Sequence, residues 1–407
     1  MARVLYISYD GILEPLGQSQ IIPYLKRLAF DNEIHIISFE KPADLVLNQV
    51  IEDIRLKLKS HGINWTPMRY HKRLSIVATI YDIIRGQINA IRITKIMKTE
   101  IVHVRSYIPA LIALPLKWFS KTKILFDIRG FWADERVDGK IWPKNGIVYK
   151  SIKFLERYLF RAADHVVTLT DASVPKIIDF GYWKNNIPNI TVIPTCVDLE
   201  RFKPPQIKLT DNKSFIFGYV GSFGTWYMMD ETMALFSEIL KIRPKARMII
   251  LNHNEHDAIR SSILRSGLPI DKVEIKKSSY EEVAVQLQRI HAASALIRPC
   301  FSKIASAPTK VAEYLACAIP CIGNYGVGDM EKTLENNEIG VILRSFDINS
   351  LNKAAKKIIM LSSNPDVRNR CRKIAEDHFS LDKAVKTYKS IYLSLLSKQQ
   401  REAFINE

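Results

Sequence analysis

Phe215-Ile216-Phe217-Gly218-Tyr219-Val220-Gly221-Ser222-Phe223-Gly224-Thr225-Trp226-Tyr227 is the stretch on which the fold of this 407-residue chain turns. Residues 215–220 form a short apolar run that ends in a glycine-bearing turn, and a series of strands and helices starts afresh there. Further short runs follow at 248–251, 273–275, 295–297, 320–322 and 341–343, separated by stretches of helical period. A comparable series precedes it, at 4–8, 34–39, 101–104, 124–126, 166–169 and 191–193. Strands alternating with helices predict parallel sheets covered by helices, so the class is α/β with two Rossmann-like domains. The domains are expected at 1–200 and 214–380, joined by a Pro- and Lys-containing linker at 201–213. A terminal helix over 381–407 carries a stripe at Val385, Tyr388, Ile391, Tyr392 and Leu395. Open α/β sheets bind ligands outside the carboxyl ends of their strands, which puts the site in a cleft between the two domains.

Working outward, composition narrows the class. With 47% hydrophobic residues, 16 Gly and 18 Pro, the chain is neither disordered nor collagen-like nor a small disulfide scaffold. Lys and Arg number 59 against 42 Asp and Glu, a net charge of +17 that suits nucleic acid, an anionic membrane or a phosphate-bearing substrate. The excess is concentrated over 55–129, with fifteen basic residues against Asp82, Glu100 and Asp127. That stretch includes His71-Lys72-Arg73 and Trp118-Phe119, and it fits an anionic membrane surface, an RNA backbone or a solvated basic face. RNA explains the charge but none of the loops below, so no nucleic-acid partner is expected. Five cysteines, without CxxC pairs or zinc-like histidine spacing, suit a reduced cytoplasmic protein. Residues 1–8 read as a strand and not as a signal peptide. The longest nearly apolar stretch, 108–119, contains Lys117 and falls short of the about 20 residues that span a bilayer.

Three loops carry candidate chemistry. In the first, Arg298 ends a strand and Ser306 or Ala307 is placed to cap a helix with Pro308 in its first turn. Thr309 and Lys310 follow, and a helix start disfavours a cation unless an anion is bound there. Glu313 lies at i+3. A phosphate at Lys310 and a sugar hydroxyl pair at Glu313 explain both charges; a solvated Lys310 paired with Glu313 is the alternative. The second is the loop of Gly221, Ser222, Gly224 and Thr225, whose glycines let backbone N–H groups approach a ligand oxygen. It is not GxGxxG, and no acidic residue about twenty positions on ends a strand, so a nicotinamide site is a poor fit. The third, after the first strand, holds Gly17, Gln18 and Ser19. Elsewhere Asp127, Arg129, Asp134, Glu135 and Arg136 crowd the end of one strand, with His103 and Arg105 ending its neighbour. Neither glycine loop contains a DxD dyad for a metal.

Val192-Ile193-Pro194-Thr195-Cys196-Val197-Asp198-Leu199-Glu200-Arg201-Phe202, the Gly221 loop and Glu313-Tyr314-Leu315-Ala316-Cys317-Ala318-Ile319-Pro320 together resemble motifs of the retaining GT-B glycosyltransferases of family 4. These are the group 1 glycosyltransferases of bacterial surface-polysaccharide assembly. The resemblance implies a GT-B fold whose terminal helix crosses back to the first domain. It also implies a nucleotide-sugar donor on the second domain and a glycan or lipid-linked acceptor on the first. Glu313 would hold the donor ribose and Lys310 the diphosphate, with the Gly221 loop opposite and Gly17 approaching from the first domain. Ser222, Gly224, Thr225, Arg298, Ser306 and Thr309 complete the donor candidates. Asp127, Arg129, Lys310 and Glu313 are the catalytic candidates, and His103, Arg105, Asp134, Glu135 and Arg136 the acceptor candidates. Retention, no metal or cofactor, and a peripheral place on the inner face of the cytoplasmic membrane are further expectations, with oligomeric state left open. The chain departs from the family pattern at Ala305, where an acidic residue stands eight positions before Glu313. It departs again at Thr225-Trp226-Tyr227 in place of a basic pair, and at Arg129 in place of a histidine. A GT-B sugar-nucleotide epimerase and a non-catalytic GT-B scaffold subunit are the rival readings.

Overall fold

The computed structural model describes residues 1–46, 48–71, 75–183, 187–205 and 215–397. It divides into two units: residues 1–193 together with the segment from Asp382 onward, and Pro194–Leu381. Most of the linker expected at 201–213, and Lys72 and Arg73 of the basic stretch, lie outside the described residues.

The first unit is a seven-stranded parallel sheet of β1 (Ala2–Ser8), β2 (Asn32–Glu40), β3 (Ile63–Arg69), β4 (Ile101–Arg105), β5 (Lys123–Asp127), β6 (His165–Thr168) and β7 (Asn189–Val192), in the order 3-2-1-4-5-6-7. Its central strands are continuous apolar runs, with Val4, Leu5, Ile7, Val102 and Val104 wholly buried, because helices cover both faces. The order reverses between β1 and β4, which opens a crevice beyond their carboxyl ends. Parallel register sets Ser8 beside Arg105 and Arg105 beside Asp127 at that edge. The sequence pattern had not indicated β3. It contains Pro67, which a ladder tolerates at a sheet edge, and β3 is an edge strand. The terminal helix Leu381–Leu395 belongs to this unit and buries Val385, Tyr388, Ile391 and Tyr392.

The second unit repeats the plan with six parallel strands, β8 (Ile216–Val220), β9 (Arg247–Leu251), β10 (Val273–Lys276), β11 (Ala292–Ser294), β12 (Cys321–Asn324) and β13 (Gly340–Leu343), in the order 10-9-8-11-12-13. The strand expected at 295–297 is displaced to β11, three residues earlier. Ala292, Ala293 and Ser294 have little strand propensity of their own, and their place between β8 and β12 decides the matter. Ile297 instead forms an isolated antiparallel bridge to Tyr227. The Val197 motif is a seam of this unit. Its N–H donates to the Phe379 carbonyl (2.9 Å) and its carbonyl accepts from Leu381 N–H (3.1 Å). The Arg372 guanidinium meanwhile joins the carbonyls of Phe202 (2.8 Å) and Ala316 (2.9 Å).

Candidate active site

In the second unit the helix Thr309–Ala316 begins with Pro308 as its N-cap and no side-chain cap. This corrects the expectation that Ser306 or Ala307 caps it with Pro308 inside the first turn. Proline has no polar side chain, so the N-cap residue does not meet the first N–H groups of the helix. Val311 N–H is taken by the Pro308 carbonyl (3.0 Å), and the N–H groups of Thr309 and Lys310 stay outside the helical ladder. The preceding loop is pinned from the Val197 motif, where the Thr195 hydroxyl donates to the Ala307 carbonyl (2.6 Å).

Lys310 and Glu313 are both buried, 7% and 6% exposed, so a solvated Lys310 is ruled out. The Lys310 ammonium makes no hydrogen bond among the described residues. It sits 4.1 Å from the centre of the Tyr219 ring and 4.3 Å from that of Tyr227. Aromatic faces attract a cation but do not satisfy its N–H groups. Burial lowers the Lys310 pKa to about 7 against the pull of Glu313. The Glu313 carboxyl is pushed up to about 7, again by burial and against Lys310. Two buried ionisable groups, one of them an ammonium without a hydrogen-bond partner among the described residues, thus stand together at the start of this helix.

The Gly221 loop lies over this ammonium. Gly221 has φ +122°, and a methyl group there would stand 3.0 Å from Lys310 Nζ, so both the conformation and the close approach call for glycine. Asn252 was not singled out from the sequence, yet it braces the loop. Its Nδ2 donates to the Gly221 carbonyl (2.9 Å) and to Glu255 Oε2 (2.9 Å), and that carboxylate accepts Phe223 N–H (2.8 Å). Gly224 (φ +95°) and Thr225 (φ +20°) complete the turn, and the Ser222 carbonyl accepts from the Tyr219 hydroxyl (2.6 Å). Trp226 gathers cations supplied by another segment: the Arg298 guanidinium 4.9 Å and the Lys303 ammonium 3.9 Å from its ring centre. Arg298 N–H also donates to the Trp226 carbonyl (2.8 Å). Positive charge therefore stands beside Thr225-Trp226-Tyr227 although the loop itself carries none. Ala305, fully buried, ends the short helix Phe301–Ala305 that supplies Lys303.

In the first unit the structure brings His103, Arg105, Asp127 and Arg129 together at the sheet edge. Asp127 Oδ2 accepts from the Tyr388 hydroxyl (3.1 Å) and faces Arg129 Nη1 at 3.6 Å and His103 Nε2 at 3.9 Å. His103 Nδ1 bonds the Tyr392 hydroxyl (2.8 Å), and Arg105 Nε lies 3.7 Å from Asp10 Oδ2. Burial alone would raise the Asp127 carboxyl, but Arg129, His103 and Arg105 outweigh it and hold it below the usual range. Burial outweighs the pull of Asp127 and lowers the pKa of His103. Arg129 takes φ +55° ahead of Gly130 at +138°. The left-handed turn costs a non-glycine residue about 1–2 kcal/mol, and here its side chain comes back over the end of β5. Asp127 Oδ1, His103 Nε2 and Arg105 Nε have no hydrogen-bond partner among the described residues. Tyr388 and Tyr392 gave no signal beyond the apolar stripe of the last helix.

The remaining candidates do not join this cluster through any contact shown. Asp134 accepts from Tyr149 (2.8 Å) and Lys153 (3.1 Å), and the Arg136 guanidinium lies 5.7 Å from the Trp132 ring centre. Glu135 is partly buried on the same helix, Trp132–Asp138. Gly17 packs against the Gly11 carbonyl and Ile12 Cα, each 2.4 Å from where a methyl group would stand, and that contact by itself explains the glycine.

Comparison with known proteins bears on the whole chain. The family model described as glycosyl transferases group 1 matches residues 200–378, and that described as glycosyltransferase family 4 matches residues 22–201. No curated protein matches the chain by sequence. Among solved structures, sucrose-phosphate synthase from Thermosynechococcus elongatus superposes with a TM-score of 0.75 at 13% identity, covering 97% of this chain and 99% of its own. A glycosyltransferase from Rickettsia africae gives 0.69 at 14% identity, with 98% and 99% covered. Anabaena HepE in complex with UDP and glucose gives 0.66 at 12%, with 97% and 100% covered. At such identities the likeness is one of fold.

Proposed function

The chain belongs to the group 1 glycosyltransferases, and we propose that it moves a hexose from a nucleoside-diphosphate sugar to a glycan or lipid-linked acceptor. Retention at the anomeric carbon and a role in surface-polysaccharide assembly are part of this reading. The observation that carries it is the buried, unbonded Lys310 ammonium under the Gly221 loop, at a helix start with no side-chain cap. When the bond between the anomeric carbon and the diphosphate breaks, negative charge collects on the leaving phosphate. Lys310, the free N–H groups of the helix start and the Gly221 loop are fixed in advance to receive it. Glu313, three residues on, is suited to accept from the ribose hydroxyls. The complex of the Anabaena relative with UDP and glucose favours a uridine nucleotide.

These donors supply the positive charge that a divalent cation supplies in other transferases, so transfer should persist in EDTA. Acceptor handling falls to the edge of the first sheet with His103, Arg105, Asp127 and Arg129. Among the described residues no helix is long and apolar enough to cross a membrane. The helix Ser75–Met97 exposes Ile76, Ile80, Ile84 and Ile88, with Arg85, Arg92 and Lys95 on the same helix, and this suits a peripheral place on an anionic membrane face. The test is thermal-shift screening of the whole chain and of Lys310→Met against UDP, GDP, ADP and CDP. One diphosphate should stabilise the native chain and leave the variant unmoved. A chain that none of them stabilises, or a variant stabilised equally, would overturn the reading.

A further inference from the structure

We propose that Tyr9, Tyr70, His71 and Tyr81, organised by the buried carboxylate of Asp82, form a binding subsite for a pyranose ring of the acceptor. The proposal rests on the transferase reading above and adds residues that reading does not use. Asp82 lies within the helix Ser75–Met97 and is fully buried. A carboxylate is expensive to bury unless its oxygens are met by donors. Here Oδ1 receives His71 Nδ1 (2.6 Å), while Oδ2 receives the Tyr9 hydroxyl (3.0 Å) and the His71 backbone N–H (3.0 Å). The arrangement fixes the ring of His71. With Nδ1 committed to Asp82, Nε2 is the ring nitrogen turned away from the carboxylate and left to a ligand hydroxyl. That nitrogen has no hydrogen-bond partner among the described residues, and the side chain is 32% exposed.

An aromatic rim surrounds it. Tyr81, 51% exposed, meets the His71 ring edge-on with centroids 5.2 Å apart, and Tyr9 meets Tyr70 in the same manner at 5.3 Å. The Arg85 guanidinium lies 5.6 Å from the Tyr81 ring centre and adds donors. A pyranose presents a face of C–H groups and an equator of hydroxyls. An exposed tyrosine ring suits the first, and an oriented imidazole nitrogen beside a guanidinium suits the second. Tyr9 follows β1, and Tyr70 and His71 follow β3, so the group stands at the same carboxyl edge of the parallel sheet as Arg105 and Asp127. A purely structural staple would need only a donor at position 71, and it would not explain an imidazole whose outward nitrogen is left open among tyrosines.

The experiment is saturation-transfer NMR on the whole chain with methyl glycosides of glucose, galactose, mannose, rhamnose and N-acetylglucosamine, with UDP thermal shifts measured in parallel. At least one glycoside should receive saturation on its ring protons. The signal should fall at least fivefold in Tyr81→Ala and in His71→Asn, whose amide can still meet Asp82 but offers nothing at the Nε2 position. His71→Gln, which places a polar atom near that position, should keep at least half of it, and the UDP shift should be unchanged in all three. The subsite is overturned if His71→Asn keeps the signal, if His71→Gln and His71→Asn lose it together, or if UDP binds while no glycoside is saturated. A glycoside signal that behaves as stated in a chain that binds no nucleotide would uphold the subsite and overturn the transferase reading.

Discussion

Lys310 and Glu313 are held in the folded chain against their own preference for water, and the sign of the resulting pH dependence can be worked out. The Lys310 pKa falls from 10.5 to about 7. Between those values the unfolded chain holds a proton that the folded chain lacks, so stability rises with pH across that window and the cost is full below pH 7. The Glu313 pKa rises from 4.5 to about 7. The folded chain then holds the extra proton, so stability falls as pH rises across that window and the cost is full above pH 7. Together they weaken the second unit most near neutrality. The double variant Lys310→Met with Glu313→Gln should therefore melt higher than the native chain, with the gain largest near pH 7 and smaller towards pH 5 and pH 10. A gain that does not vary with pH would refute the assignment. Lys310→Met alone should lower kcat/KM about 100- to 1,000-fold, the loss typical of removing one charge-stabilising donor, without lowering Tm.

Two short segments hold that pair in place, and each has a weak point that can be probed. At the Gly221 loop, φ +122° strains any side chain, and a methyl group would press on the Lys310 ammonium at 3.0 Å. Gly221→Ala should cost about 1–3 kcal/mol of stability, read by denaturant melts, and should also remove the UDP thermal shift. At the helix start, Thr195→Val deletes the bond to the Ala307 carbonyl. The expected loss is about 1 kcal/mol, with weaker nucleotide binding because the loop ahead of Thr309 is no longer pinned. Melting and UDP titration of this variant separate the two effects, and unchanged UDP affinity would show that the loop needs no pin.

Over the whole molecule, the +17 charge is less uniform than composition suggests. Within the basic stretch, Lys117 and Lys123 both pair with Asp164, Arg55 with Glu52 and Arg129 with Asp127. Arg85, Arg92 and Lys95 make no ion pair among the described residues, and they share a helix with the exposed isoleucines. Co-sedimentation with vesicles containing phosphatidylglycerol should accordingly drop about tenfold or more between 0.1 and 0.5 M NaCl. Ile84→Asp with Ile88→Asp should weaken it further at either salt concentration. Equal binding to neutral phosphatidylcholine vesicles would contradict an anionic membrane partner.

Strand and helix alternation, the restart at Phe215, the glycine loop and the Lys310–Glu313 spacing were legible in the amino-acid order, because period, turn chemistry and helix spacing act over a few residues. The edge strand β3 was hidden by Pro67, and β11 was displaced because its small residues have no pattern of their own; in both, position in the sheet outweighs propensity. Burial of Lys310 is another matter. It depends on Tyr219 and Tyr227, some ninety residues away along the chain, closing over it. Likewise the Asp127 cluster needs the register of β4 against β5 and two tyrosines from the last helix, and His71 needs a carboxylate on a different element. Sequence alone therefore determined the alternation of strands and helices, most of its elements, and which loops carry polar chemistry. Tertiary structure decided which of those groups are desolvated, oriented and left without partners, since desolvation and register are set by neighbours distant in sequence.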